Sequence, residues 1–141
     1  MKNLIYLLFV FFALSCQQKI DKKQLENLNG YWEIKAVYQD GKTVKEFTFN
    51  PMVDYFFMKN NQGFRKKVQP QFDGSYKTFD NQEDFKVVTE NDSIYLHYKT
   101  PQSQWKELIL EIDAENLKVK NDRNLTYHYQ KFKGFSENGS K

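Results

Sequence analysis

Short segments rich in aromatic and β-branched residues alternate with turn-forming residues throughout residues 28–133. Segments of this kind favour strands, and connections this short make each strand antiparallel to its predecessor. The clearest turn signals are Asp40-Gly41, Asn60-Asn61, Asp73-Gly74, Asn91-Asp92 and Asn121-Asp122. An antiparallel meander hides its two edge strands most simply by closing on itself. The sequence therefore predicts an all-β fold, an antiparallel up-and-down β-barrel of eight to ten strands.

Residues 30–38 predict the first strand. Gly30 would let the chain bend just before this strand and leave room for the indole of Trp32. Side chains on a strand alternate between its two faces, and the apolar ones here recur at every second position. The predicted inner face therefore carries Trp32, Ile34, Ala36 and Tyr38.

The same alternation gives later strands an inner face. In residues 94–98 it turns Ile94, Leu96 and Tyr98 inward, and in residues 105–112 it places Leu108, Leu110 and Ile112 on the inner face and Glu107 and Glu111 on the outer face. Taken together, these faces predict that the following side chains are buried: Trp32, Ile34, Leu96, Leu110, Val119 and Tyr127.

The N-terminus predicts export. Lys2 precedes an apolar run of eleven residues, 4–14, whereas a membrane-spanning helix needs about 20. The run ends at Ser15-Cys16, and Cys16 is the only cysteine in the chain. This arrangement resembles the lipoprotein signal of bacteria, in which the cysteine is acylated with fatty acids such as palmitate and begins the mature chain. The alternative is an ordinary signal peptide beside an unrelated cysteine.

These features predict four parts of the chain. Residues 1–15 are a signal peptide, and residues 16–27 are a lipidated tether, either a flexible linker or one short helix capped by Asp21. Residues 28–133 are the barrel, and residues 134–141 are a flexible tail. Residues 17–23 carry no clear retention signal, so we expect a lipoprotein of the cell envelope, facing the periplasm and anchored in the outer rather than the inner membrane.

Composition limits the function classes. Loss of Lys2 with the signal leaves 20 basic side chains against 18 acidic ones with the signs interspersed, which gives no reason to expect nucleic acid as a partner. The mature chain has no second cysteine for a disulfide, so it must rely on a core built from its 20 remaining aromatic residues.

Catalytic and metal-binding patterns are sparse. His97 and His128 fall on the predicted outer faces of different strands, without carboxylates or thiols at metal-ligand spacing. No serine stands in a nucleophile-elbow context. We therefore expect no enzyme activity, no cofactor and no metal. Asp92-Ser93-Ile94 resembles the short acceptor of a bacterial O-glycosylation system, which makes Ser93 a candidate for modification.

Gly30-Tyr31-Trp32, on the first strand, resembles the Gly-x-Trp signature of the lipocalins. Together with the export signal, the plan is similar to the lipocalin-like lipoproteins of Gram-negative bacteria. The resemblance implies a cup that holds a small, often apolar, ligand. It also implies that Trp32 closes the barrel floor and packs under a basic residue near the last strand, for which Arg123 and Lys131 are the candidates.

Two functions follow from this interpretation. The first is a membrane-anchored lipocalin-like protein that binds a small, largely apolar molecule in the barrel. The second is a lipid-anchored interaction or accessory module of an envelope complex, whose barrel is filled by its own side chains. The same residues would line a cup or fill a small barrel: Trp32, Tyr38, Phe57, Tyr98 and Tyr127.

Overall fold

The computed structural model describes residues 19–135. The predicted signal peptide, Cys16 and most of the predicted tail lie outside the described residues. Within them the chain forms one short helix, a 3-10 turn (Glu26–Leu28) and ten strands. In chain order these are α1 (Lys22–Leu25), β1 (Gly30–Gln39), β2 (Lys42–Glu46), β3 (Val53–Lys59), β4 (Gln62–Pro70), β5 (Tyr76–Thr78), β6 (Glu83–Glu90), β7 (Ser93–Lys99), β8 (Gln104–Ile112), β9 (Asn116–Lys120) and β10 (Leu125–Lys131).

Eight of the ten described strands form a closed antiparallel barrel. The order around the barrel is β1-β3-β4-β6-β7-β8-β9-β10, and β10 returns to pair with β1, with Trp32 opposite Lys131 and Ile34 opposite Tyr129. The two remaining strands extend the sheet beside it, β2 along β1 and β5 along β4. The predicted all-β, up-and-down barrel is therefore confirmed.

Tight turns explain why the strands follow one another so closely. Both residues of the β3–β4 turn, Asn60 and Asn61, have positive φ values of 53° and 60°, and both residues of the β6–β7 turn, Asn91 and Asp92, do so as well at 48° and 66°. Asparagine and aspartate tolerate this left-handed region better than other residues with a Cβ. The turn residues thus fix two-residue hairpins and the registers that follow from them.

The N-terminal helix closes one end of the barrel. Asp21 caps α1 by accepting a hydrogen bond from the backbone N–H of Gln24 at 2.7 Å. Leu25 and Leu28 are buried, and the Nε1–H of fully buried Trp32 donates to the carbonyl oxygen of Leu28 at 2.9 Å. Trp32 therefore joins the first strand to the helix and forms the floor of the barrel.

A lysine from the last strand lies over this floor. The Nζ atom of Lys131 is 4.4 Å from the ring centroid of Trp32 and donates hydrogen bonds to the carbonyl oxygens of Asn27 and Asn29 at 2.8 and 2.7 Å. Of the two basic candidates, Lys131 is the one that packs on Trp32. Gly30 has a φ of +126°, and a Cβ there would lie 3.0 Å from the same Nζ atom. Glycine at this position thus leaves room for the lysine.

The predicted core is largely confirmed. Trp32 and Leu96 are fully buried and Val119 is 1% exposed, while Ile34 and Tyr127 are partly buried and pack against this core. The same cluster contains Phe56, Phe85, Tyr98, Ile109, Ile112, Leu117 and Tyr129.

The predicted faces of β8 were wrong for Glu107, Leu108 and Leu110 and right for Ile112. Glu107 lies opposite inward-facing Leu96 and is 6% exposed, whereas Leu108 lies opposite Tyr95 on the outer face. Leu110 is only partly buried, and Ile109 takes the inner position instead. The register shifts between Ile109 and Glu111, so the bulge returns Ile112 to the inside. Because β8 carries apolar residues on both faces, its own pattern does not determine which face is buried. The ion pair of Glu107 with Arg65 inside the barrel is consistent with the inward position of Glu107.

A second bulge reverses the end of β1. The register with β10 shifts between Ile34 and Ala36, after which Val37 lies opposite Tyr127. Val37 therefore faces the interior, and Tyr38, opposite Thr126, faces outward. The predicted inner position of Tyr38 was wrong because the extra residue interrupts the two-residue period.

Candidate ligand-binding site

A cavity of about 360 Å³ lies at the end of the barrel opposite Trp32. Its rim includes the β9–β10 turn, which stands at the start of β10, whereas Trp32 pairs with the end of that strand. We call this cavity the cup. Six charged side chains line it: Asp54, Arg65, Lys67, Glu83, Glu107 and Arg123.

Arg65 is the centre of a charged network inside the cup. Its guanidinium lies 3.1 Å from a carboxylate oxygen of Glu83 and 3.3 Å from one of Glu107. The side chains of Arg65 and Glu107 are 14% and 8% exposed, so this ion pair is largely withdrawn from water. A second pair, Lys67 with Asp54 at 3.0 Å, joins a solvent-exposed lysine to a buried carboxylate. Charged groups buried like this need compensation, and here each carboxylate has a basic partner.

Burial shifts the acid–base properties of the cup. Burial raises the pKa of Glu107, while the charge of Arg65 and the hydrogen bond from the Nε1–H of Trp105 act in the opposite direction. Burial also raises the pKa of the Tyr98 and Tyr129 hydroxyls well above the usual range. Both phenols are therefore neutral at physiological pH, and Glu107 is the acid of the cup whose protonation burial favours.

Aromatic rings supply the apolar part of the cup. Trp105, Tyr127 and Tyr129 line it, and the Nδ2–H of Asn121 donates to the Tyr127 hydroxyl at 3.4 Å. Beneath them, the Tyr98 ring stacks on Trp105 with centroids 5.0 Å apart and an angle of 7° between the ring planes. The cup thus combines flat apolar walls with fixed charged groups.

The predicted ligand-binding residues do not come together at one place. Tyr127 lines the cup, Tyr98 lies buried beneath it, and Trp32 forms the floor at the opposite end. Phe57 is 42% exposed on the outer face because its neighbour Phe56 takes the inner position. Tyr38, as described above, also faces outward.

Sequence reasoning missed the charged residues of the cup. Asp54 stands in the otherwise apolar segment Val53–Met58, and a charge in such a segment needs a buried partner. This pattern predicts a basic side chain near Asp54 inside the barrel but does not identify which residue supplies it. Arg65 stands in the run Arg65-Lys66-Lys67, which resembles a solvated strand edge, and only the pairing of β4 with β3 and β6 reveals its place inside.

A larger and more open concavity, about 1150 Å³, runs along β3, β4, β6, β7 and β8 and reaches Trp105 and the β9–β10 turn at Asp122. We call it the outer groove. Its outward-facing lining includes Phe57, Phe64, Lys86, His97 and Lys106. It is larger than the cup, but it lacks the network of buried ion pairs found there. We therefore regard the cup as the candidate site.

The two histidines lie on different strands of the outer surface. A ring nitrogen of His97 is 3.5 Å from a carboxylate oxygen of Glu90, and one of His128 is 3.1 Å from the side-chain oxygen of Asn116. Residues 19–135 contain no group of three or more His, Cys, Asp or Glu side chains arranged to hold a metal ion. In the same part of the chain no helix has the length and apolar character needed to span a membrane.

Comparison with known proteins places the fold in a family. A family model described as a lipocalin-like domain matches residues 28–138, which is most of the 141-residue chain. No match was found among curated proteins.

Several solved structures are similar in outline. A lipocalin-like protein from Bacteroides uniformis ATCC 8492 is 10% identical, with 75% of this chain and 99% of that chain covered and a TM-score of 0.46. An uncharacterized protein from Bacteroides eggerthii DSM 20697 is 11% identical, with coverage of 74% and 99% and a TM-score of 0.46. Apocrustacyanin C1 is 9% identical, with coverage of 84% and 68% and a TM-score of 0.47. On the match of the family model and the closed barrel, the chain belongs to the lipocalin-like domain family.

Proposed function

We propose that this protein binds a small molecule in the cup at the open end of its barrel. The observation that carries the proposal is the cup itself, about 360 Å³ lined by aromatic rings and ion-paired side chains on rigid strands. Small-molecule pockets usually measure roughly 300–1,000 Å³, so the cup suits a ligand at the small end of this range. Membership of the lipocalin-like family supports this function, since such proteins are typically binding proteins rather than enzymes.

The lining also indicates the character of the ligand. The sequence predicts a largely apolar molecule, and the rings of Trp105 and Tyr127 offer flat surfaces for it. The ion pairs add a requirement, because an entirely apolar ligand would leave the polar groups of Arg65 and Glu107 without new partners. Buried ion pairs contribute little to stability compared with apolar residues of the same volume. Ligand recognition would explain why charged residues occupy these positions of the cup. We therefore propose a ligand with an apolar body and at least one polar group.

A ligand held in this way should survive gentle purification. We expect native mass spectrometry of the protein expressed in its own host to show an additional small mass that denaturation releases. Substitution of Tyr127 by Trp, which enlarges a cup-lining ring, should remove this mass, whereas the same substitution at outward-facing Tyr38 should not. An identical spectrum before and after denaturation, with no mass released, would contradict the proposal.

We also propose that a lipid on Cys16 anchors the domain in the cell envelope, at the outer membrane. The support is the single cysteine at the end of an eleven-residue apolar run. Metabolic labelling with a fatty-acid analogue should label the wild-type protein, and Cys16→Ser should abolish the label and leave an unprocessed or mislocalised precursor. Equal labelling of the two proteins would refute the anchor.

A second function, an interaction module of an envelope complex, is favoured by one feature. Phe72 is 94% exposed and Phe49 72% exposed, although aromatic side chains of this size are normally buried. Exposed apolar side chains often mark contact sites when they form larger patches. Loss of a copurifying protein partner in Phe72→Ser, with the cup ligand retained, would support this second function.

A further inference from the structure

The geometry points to a small organic anion as the ligand of the cup, with its anionic group held at Arg123 and its apolar part against Trp105 and Tyr127. This inference rests on the proposed function, because it names the chemical class that the same cup accepts. It goes further in assigning Arg123 as the residue that determines specificity for charge.

The ion pairs leave one charge of the cup without a partner. Asp54 pairs with Lys67, and the two glutamates pair with Arg65. Among the described residues no carboxylate lies within 4.0 Å of the Arg123 guanidinium, although that side chain lines the cup. The unpaired cation therefore stands at the mouth, while the deeper charges already have partners.

Two carboxylates, Glu83 and Glu107, contact the single positive charge of Arg65. This excess of one negative charge does not favour a cationic ligand. Glu107, which supplies one of the two carboxylates, is 6% exposed and hydrogen-bonded to the Nε1–H of Trp105. Both carboxylates already contact the Arg65 guanidinium, so a cationic ligand would have to compete with Arg65 for them. A cation would also have to pass Lys67 and Arg123 at the mouth to reach this point.

Arg123 is presented by a fixed turn. Its backbone N–H donates to the Asn121 side-chain oxygen at 3.0 Å, and its carbonyl oxygen accepts from the Gln39 side chain at 3.3 Å. Asn121 also contacts the Tyr127 hydroxyl, so the turn and one aromatic wall of the cup are held together. A guanidinium can bind a carboxylate through two parallel N–H groups, which makes a carboxylate beside an aromatic body the group that fits this arrangement.

The test compares three probes of the same size that differ in charge: 2-naphthoate, 2-naphthamide and 2-naphthylmethylammonium. Binding is followed by the emission of Trp105, with Trp105→Phe as the optical control for signal from Trp32. Wild type should bind 2-naphthoate about tenfold more tightly than 2-naphthamide, and the ammonium most weakly, since a hydrogen bond to a charged group contributes roughly this factor or more.

Two variants decide whether Arg123 is responsible. Arg123→Gln should bring the affinities for 2-naphthoate and 2-naphthamide within about twofold of each other, because glutamine is a neutral donor and does not favour a charged acceptor over a neutral one. Lys120→Gln is the matched control: it removes a nearby positive charge from the outer face, where Lys120 pairs with Leu108 and Thr126, and should leave the preference unchanged.

The outcomes separate this inference from the proposed function. Saturable binding of 2-naphthoate and 2-naphthamide with equal affinity would overturn the inference and leave a ligand-binding cup. Tighter binding of the ammonium, or an equal loss of preference in Lys120→Gln, would also overturn it. Failure of all three probes to bind would overturn it as well, whereas the proposed function is decided by the mass released from the natively expressed protein.

Discussion

Trp32→Ala is expected to lower the free energy of unfolding by about 3–5 kcal/mol, the range found when large buried side chains are truncated to alanine. The indole is fully buried and its Nε1–H donates to the Leu28 carbonyl oxygen, so truncation leaves both a cavity and an unpaired acceptor. It also removes the ring beneath Lys131. Urea titration of the mature domain measures the effect.

Two milder variants test the reason for this loss. Trp32→Phe keeps most of the apolar volume but removes the hydrogen bond to Leu28, and Lys131→Met keeps an apolar side chain over the ring but removes the cation. A hydrogen bond contributes roughly 0.5–1.5 kcal/mol and a cation–π contact roughly 0.5–2 kcal/mol, so Trp32→Phe should cost clearly less than Trp32→Ala. Lys131→Met should cost more than Trp32→Phe, because it also removes the hydrogen bonds of Nζ to the carbonyl oxygens of Asn27 and Asn29. A loss below about 1 kcal/mol for Trp32→Ala would contradict the position of Trp32 at the barrel floor.

Arg65→Met is expected to cost about 3–5 kcal/mol near pH 8, although it replaces a charged residue by an apolar one of similar length. The substitution leaves the buried carboxylate of Glu107 without its basic partner, and breaking a buried pair from one side has a cost of about this size. The loss should be reversed in large part by Arg65→Met combined with Glu107→Gln. The second substitution removes the unpaired charge but keeps an acceptor for the Trp105 Nε1–H.

The same loss should depend on pH. Burial raises the pKa of Glu107 above its ordinary value of 4.5, and removal of Arg65 takes away an interaction that lowers it. A carboxyl whose pKa is raised in the folded state contributes stability that is complete below the unfolded pKa and is lost as the pH rises through the folded pKa. The cost of Arg65→Met should therefore be smallest near pH 4.5 and increase toward pH 8. A cost that is equal at both pH values, or that Glu107→Gln does not relieve, would contradict the buried network.

The order of the eight barrel strands could be predicted because it depends on local signals, whereas the places of β2 and β5 beside the barrel could not. Turns such as Asn60-Asn61 and Asn91-Asp92 require positive φ values, which asparagine and aspartate tolerate. These residues therefore mark in the sequence where one strand ends and the next begins. The floor of the barrel was also predictable, since Gly30-Tyr31-Trp32 resembles the lipocalin signature. That resemblance left two candidates for the basic residue that packs on Trp32. The sequence could not decide between Arg123 and Lys131, because the answer depends on which end of β10 pairs with Trp32.

The cup could not be predicted because its side chains are placed by bulges and by distant partners. One extra residue between Ile34 and Ala36 reverses the face of Tyr38, and another between Ile109 and Glu111 returns Ile112 to the inside. No local pattern fixes the position of such a bulge. The interior place of Glu107 depends on Arg65, which is 42 residues away in sequence.

The most direct test of the cup as the binding site is a ¹H–¹⁵N correlation spectrum of the mature domain titrated with the released native ligand. We expect the largest shifts at the backbone of Glu107, Arg123 and Tyr127, which line the cup alone, with the outer-groove residues Lys86 and His97 unaffected. Shifts confined to the outer groove, at Lys86 and His97, with the cup signals unchanged, would contradict the assignment.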